Sequence, residues 1–174
     1  LTEQIREDED TAVTSGVIVK RQNPVSGCTK CWREIAPLLR VIEEAARALH
    51  AANEAHVIHR DIKPGNIIVT SDGRPVIMDF GLAREEESDL TSLTQSGEFF
   101  GTPEYMSPEQ LTQKAIKLDR RTDVWSLGVT LYECLTLQRP FQGPTRQVLF
   151  HRILGKNPSD PRRLNPAITD DLRA

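Results

Sequence analysis

His59-Arg60-Asp61-Ile62-Lys63-Pro64-Gly65-Asn66, followed thirteen residues after Asn66 by Asp79-Phe80-Gly81, is the stretch from which this chain is best read. Asp61 falls in a loop between two short apolar runs, where a carboxylate is presented to a substrate. Lys63, two residues on, places a cation beside it. Asn66 and Asp79 offer oxygen atoms at the two ends of a predicted strand pair, and hard oxygen ligands suit magnesium. A carboxylate to orient a hydroxyl, a cation for developing phosphate charge and two oxygens for a metal together form a set suited to phosphoryl transfer.

The flanking sequence predicts what holds this loop. Ile35, Leu38, Leu39, Ile42, Ala45, Ala46, Leu49 and Ala52 recur at three- and four-residue steps, the stripe of an amphipathic helix over 35–55. Pro37 is expected in its first turn, where no intrahelical N–H is needed. Short strands are predicted at 57–58, 67–70 and 75–78. The last two are joined by Ser71-Asp72-Gly73-Arg74, because Asp-Gly accepts the positive φ of a tight turn. Residues 82–106 lack periodicity and are rich in Ser, Thr and Glu, a long loop of the kind that usually carries function or disorder. A second helix, from Asp123 to about Leu135, is apolar on nearly every face and is expected to be buried.

With these motifs in view, the chain resembles the C-terminal lobe of eukaryotic-type protein serine/threonine kinases. His59–Asn66 resembles the catalytic loop and Asp79-Phe80-Gly81 the metal-binding motif. Gly101-Thr102-Pro103-Glu104-Tyr105-Met106-Ser107-Pro108-Glu109 is similar to the end of the activation segment, with Ser107 where Ala is more usual. Asp123-Val124-Trp125-Ser126-Leu127-Gly128 resembles the buried anchoring helix. The resemblance runs from about residue 35 to the end, with its motifs in the family's order, and the run 101–110 looks most like the bacterial members. It implies a mainly α fold with short β-hairpins, an α+β kinase-like lobe that is incomplete. Residues 1–34 are then a weakly ordered or remnant segment and residues 35–174 a partial kinase domain.

The resemblance also implies roles. Asp61 accepts or orients the substrate hydroxyl proton, and Lys63 neutralises the transferred phosphate of ATP. Asn66 and Asp79 hold Mg²⁺. Lys63 together with Thr102 places the chain in the serine/threonine branch, the two hydrogen-bonding around Asp61 to leave a shallow site for short hydroxyls. Arg60 and Arg84 are expected to converge on a phosphorylated side chain of the loop, with Thr91, Ser92, Thr94 and Ser96 as candidates. His59 and Phe80 are expected to pack beneath the loop, and Asp123 to cap its backbone. Glu109 is expected in a buried ion pair with an Arg that would lie beyond residue 174. The implied partners are proteins bearing Ser or Thr.

Composition is consistent with this reading. Of 174 residues, 38% are hydrophobic and 27% charged, and a net charge of −3 argues against a nucleic-acid partner, which would need a positive face. No run of about 18 apolar residues could span a membrane, and the acidic first ten residues are not a signal peptide. Three cysteines, with Cys28 and Cys31 lacking the second pair that a zinc site requires, indicate a reducing, cytoplasmic location.

Two features of a whole kinase are not found. No G-x-G-x-x-G occurs, and Val17-Ile18-Val19-Lys20 only imitates the strand-lysine motif, since Lys20 lies 41 residues before Asp61. An N-terminal lobe or a partner chain supplying it is therefore expected to be missing, leaving this chain weakly active or inactive alone. A lobe-only, pseudokinase-like binding module is the alternative, disfavoured by the intact Asp61, Lys63, Asn66 and Asp79. A small-molecule phosphotransferase of the aminoglycoside-kinase type is disfavoured by Arg60 and by the segment 101–109.

Overall fold

The structure is a computed structural model, and it describes residues 32–80, 84–85, 101–112 and 118–172. Helix α1 spans Trp32–Glu54, strand β1 Val57–Ile58, β2 Ile67–Val69, β3 Pro75–Ile77 and β4 Arg84–Glu85. They are followed by helices α2 (Pro108–Leu111), α3 (Arg121–Thr136) and α4 (Arg146–Gly155). Short 3-10 turns occur at Pro64–Asn66, Pro103–Tyr105, Pro161–Arg163 and Asp170–Leu172. Among the described residues no helix is long and apolar enough to cross a membrane.

Helix α1 begins three residues before its apolar stripe, so Pro37 is the sixth helical residue rather than part of the first turn. A proline there removes one hydrogen bond to the carbonyl four residues back, and packing of the stripe outweighs the loss. Ile35, Ala45 and Leu49 are buried, whereas Ala46, expected on the same stripe, faces solvent.

Strands β2 and β3 pair antiparallel with Ile67 opposite Ile77 and Val69 opposite Pro75. Each stops one residue earlier than its apolar run, because Thr70 turns to bond the loop: its hydroxyl donates to the Arg74 carbonyl at 2.8 Å and its N–H does so at 2.9 Å. Gly73 takes φ +86° at the turn, where an L side chain would be strained. Strand β1 pairs with β4, Ile58 opposite Arg84.

Among the described residues, three apolar clusters form the core. Ala45, Leu49, Ile62, Ile67 and Leu127 lie under the loop 59–66. Ile35, Leu135 and Ile168 tie α1 and α3 to the C-terminal turns. Met106, Leu111, Phe141, Leu149 and Ile153 pack α4 against the segment 101–111.

Helix α3 starts two residues before its expected boundary and is not buried all round, for Val124 is 67% exposed. What it buries is largely polar. Thr122, Asp123, Ser126 and Thr130 are each at most 1% exposed, and each carries a hydrogen bond. Buried polar groups are tolerable only when so satisfied. Helix α3 is thus a hydrogen-bonding spine for the loops around it.

Candidate active site

The loop 59–66 is fixed from below by one carboxylate. Asp123 Oδ2 accepts the N–H of His59 and Asp123 Oδ1 that of Arg60, both at 2.9 Å, while Asn53 Nδ2 donates to Oδ2 at 3.3 Å. The last of these ties α1 to the N-terminal turn of α3. These bonds let Arg60 hold φ +70°, a left-handed conformation unusual for a side chain of this size. His59 is fully buried, its Nε2 2.9 Å from the Met78 carbonyl and its ring edge-on to Phe80 at 4.6 Å. The imidazole therefore spaces the loop from Asp79-Phe80, as expected of a packing histidine. Phe80 itself keeps 42% of its surface exposed.

Asp61 is 7% exposed and held on several sides. Thr102 donates its backbone N–H to Asp61 Oδ1 at 3.0 Å. Lys63 Nζ lies 2.7 Å from Asp61 Oδ2 and 2.8 Å from Thr102 Oγ1, joining two segments 39 residues apart. Asn66 Nδ2 donates to the Asp61 carbonyl at 2.8 Å and reaches Oδ2 at 3.2 Å. Asp61, Lys63, Asn66 and Thr102 are thus one connected cluster, the carboxylate pre-oriented by charge-assisted bonds.

Asn66 spends its amide nitrogen on Asp61, and its carbonyl oxygen accepts no hydrogen bond among the described residues. Its main-chain carbonyl accepts the N–H of Met78 at 2.8 Å, so the β2–β3 ladder sets Asp79 next to it. Asp79 sits at φ +62°, exposed, at the end of β3. An amide oxygen beside a solvent-facing carboxylate fits Mg²⁺, which takes one or two protein oxygens and completes its shell with water and phosphate. Among the described residues no group of three or more His, Cys, Asp or Glu could hold a metal.

Gln110 is a positioning residue that the motif reading passed over. Its Oε1 accepts the Ser107 N–H at 2.9 Å and its Nε2 donates to the Arg60 carbonyl at 3.0 Å, bridging α2 to the catalytic loop. The Ser107-x-x-Gln110 capping-box pattern signals the first bond but not the second, which spans 50 residues. Glu109 accepts from Thr122 Oγ1 at 3.0 Å. Register places Arg84 opposite Ile58, two residues before Arg60. Gly81, Thr91, Ser92, Thr94, Ser96, Lys20, Cys28 and Cys31 lie outside the described residues.

Comparison with known proteins agrees with this geometry. The serine/threonine-protein kinase PknB of Mycolicibacterium smegmatis is 37% identical over 142 residues, 80% of this chain and 22% of that protein. The DNA damage-responsive serine/threonine-protein kinase RqkA of Deinococcus radiodurans is 41% identical over 137 residues, 77% of this chain and 20% of its own length. A probable serine/threonine-protein kinase of Streptomyces coelicolor is 37% identical over 128 residues, 74% of this chain and 19% of that protein. The chain spans about a fifth of the length of these relatives. The family model of the protein kinase domain matches residues 23–167, and the chain belongs to that family, with bacterial serine/threonine kinases among its relatives.

Proposed function

We propose that this protein transfers the γ-phosphate of ATP to Ser and Thr hydroxyls of protein substrates, and that the described residues form the C-terminal lobe of its kinase domain. The observation that carries the proposal is the Lys63 ammonium bridging Asp61 and Thr102 at 2.7 and 2.8 Å. That bridge couples the carboxylate that must meet the hydroxyl to the segment on which a polypeptide would lie.

Asp61 Oδ1 accepts from Thr102 and Oδ2 from Lys63, so the carboxylate is held in one rotamer. In that position it orients an incoming hydroxyl and takes its proton as the oxygen attacks phosphorus. Lys63 is shared between Asp61 and Thr102 and supplies positive charge where the transferred phosphoryl oxygens develop negative charge. The Lys63 contacts to Asp61 and Thr102 support the serine/threonine reading that the resemblance implies. Asn66 and Asp79 are the residues that would hold Mg²⁺, which when bound would supply positive charge to the phosphates. Asn66 commits its amide nitrogen to Asp61, which leaves its oxygen as the candidate ligand. Arg60 and Arg84 are the proposed receivers of a phosphate on Thr91, Ser92, Thr94 or Ser96, a reading supported by the register that pairs Arg84 with Ile58, two residues before Arg60.

The test is phosphate transfer by the full-length protein with radiolabelled ATP, Mg²⁺ and a generic protein substrate. Label on Ser and Thr, lost in Asp61→Asn, is expected. Label on Tyr alone, or full activity in Asp61→Asn, would overturn the assignment.

A further inference from the structure

A cleft of about 350 Å³ is lined by Glu104, Glu133, Leu137, Arg139, Gly143 and Leu149, among others. It begins on the turn Pro103–Tyr105, which follows directly from Thr102. Thr102 gives its N–H to Asp61 Oδ1 at 3.0 Å, and Glu104 on the cleft wall stands two residues further on, at most about 7 Å along the backbone, so a peptide whose hydroxyl meets Asp61 passes this cleft within a few residues.

Its chemistry is set by three charges. Arg139 Nη1 lies 2.9 Å from Glu104 Oε1 and its Nε 3.4 Å from Glu133 Oε1. Its guanidinium stands 5.7 Å from the centre of the Tyr105 ring, and the Tyr105 hydroxyl donates to Glu133 Oε2. Two carboxylates of the lining are thus already bridged by a cation belonging to this chain. Side-chain exposures of 40% for Arg139, 30% for Glu104 and 25% for Glu133 put the bridge at the cleft surface, where a substrate side chain would meet it.

We propose that Arg139 is a specificity-determining residue that fills this acidic cleft from within, so that the protein selects no basic residue near the acceptor hydroxyl. An incoming Lys or Arg would have to displace Arg139 from both carboxylates or sit against its charge, and neither favours binding. Removing the guanidinium leaves Glu104 and Glu133 uncompensated across a cleft of side-chain size, and a substrate cation then takes its place. The inference rests on the phosphotransfer reading given above.

The experiment compares kcat/KM of the full-length protein on peptides carrying Arg, Ala or Glu at each position flanking the acceptor. Wild type is expected to show Arg-to-Ala ratios within about threefold of unity throughout, and Arg139→Ala to raise the ratio about tenfold at one position. Arg139→Gln, which keeps the stem over Tyr105, should do the same if Arg139→Ala folds poorly. Adding Glu133→Gln to either variant should abolish the gain. Strong selection for Arg by wild type, or active variants with unchanged ratios, overturns this inference alone. Absence of transfer to any peptide by wild type removes the phosphotransfer reading and this inference with it.

Discussion

Asp123 holds the catalytic loop by accepting the backbone N–H of His59 at 2.9 Å across 64 residues, and its second oxygen takes the neighbouring N–H of Arg60. The carboxylate is 1% exposed, so no water replaces it when it is lost. Asp123→Ala leaves two buried donors unpaired and should cost about 2–5 kcal/mol of stability. Asp123→Asn, which keeps one acceptor but turns an amide toward a donor, should cost about 1–3 kcal/mol. Denaturant unfolding measures both. A loss below about 0.5 kcal/mol for Asp123→Ala would mean that the loop is held elsewhere.

Asp61 and Lys63 should separate chemistry from folding. Asp61→Asn retains the shape of the side chain but not its basicity, and transfer should fall about 10²–10⁴-fold. Lys63→Met keeps the stem and removes the charge, with an expected loss of about 10²-fold in kcat. Thr102→Ala should be milder, because Lys63 still reaches Asp61. Equal losses in all three, with unfolding at a lower temperature, would point to a collapsed loop instead.

The metal site should reveal itself in the dependence on Mg²⁺. Asn66→Ala removes the neutral oxygen proposed as a ligand and also the amide that bonds Asp61. The Mg²⁺ concentration for half-maximal transfer should rise about tenfold or more. Asp79→Asn should raise it further, since a carboxylate is lost. Titration of activity against Mg²⁺ at saturating ATP measures the shift, and unchanged titration curves would exclude these two residues as ligands.

Much of this arrangement was legible in the sequence because local chemistry and periodicity agree. The stripe of α1 and the Asp72-Gly73 turn follow from patterns only a few residues long. The triad of Asp61, Lys63 and Thr102 was legible only through the family resemblance, since nothing local joins residues 39 apart. Other features were hidden for the same reason. The Gln110 bond to the Arg60 carbonyl and the Arg139 bridge to Glu104 depend on tertiary approach, and no spacing encodes them. The polar inner face of α3 was misread because Ser and Thr are counted as surface residues. Here Ser126 donates to the Tyr105 carbonyl at 2.8 Å, and Thr130 donates to the Ser126 carbonyl at 2.9 Å, within the helix itself.

Cys134 should be chemically quiet. Burial, with the nearby Glu133 charge, pushes its thiol up to about 11. Only the thiolate is nucleophilic, so at pH 8 roughly one molecule in a thousand is reactive at this position. Because the folded pKa is raised, the thiol's contribution to stability is complete below its ordinary value and lost as pH rises toward 11. Residue-resolved mass spectrometry after iodoacetamide treatment should find Cys134 unmodified at pH 8 unless the protein is first unfolded. Rapid labelling of the native protein would contradict the raised thiol of this half-buried residue.

Gly101 lies closely against the Asp61 cluster. It adopts φ +112°, and a Cβ placed there would stand 3.1 Å from Met106 Cε and 3.5 Å from Asp61 Oδ1. Gly101→Ala therefore meets two penalties, a strained backbone and a contact that Met106 must yield to relieve. The expected destabilisation is about 1–3 kcal/mol. The functional effect should be larger than the stability change implies, because the peptide that would shift leads straight into the Thr102 N–H that fixes Asp61. We expect kcat to fall by about 10²-fold, since misplacement of a catalytic group by 1 Å is enough for such a loss. The KM for ATP should be little changed, because nothing at Gly101 touches the ligands proposed for the metal. Pairing with Met106→Ala clears the 3.1 Å contact but empties a core position, so the double variant should be less stable still and recover little of the activity. Full recovery of activity in the double variant would show that crowding, and not the backbone at Gly101, governs how Asp61 is held.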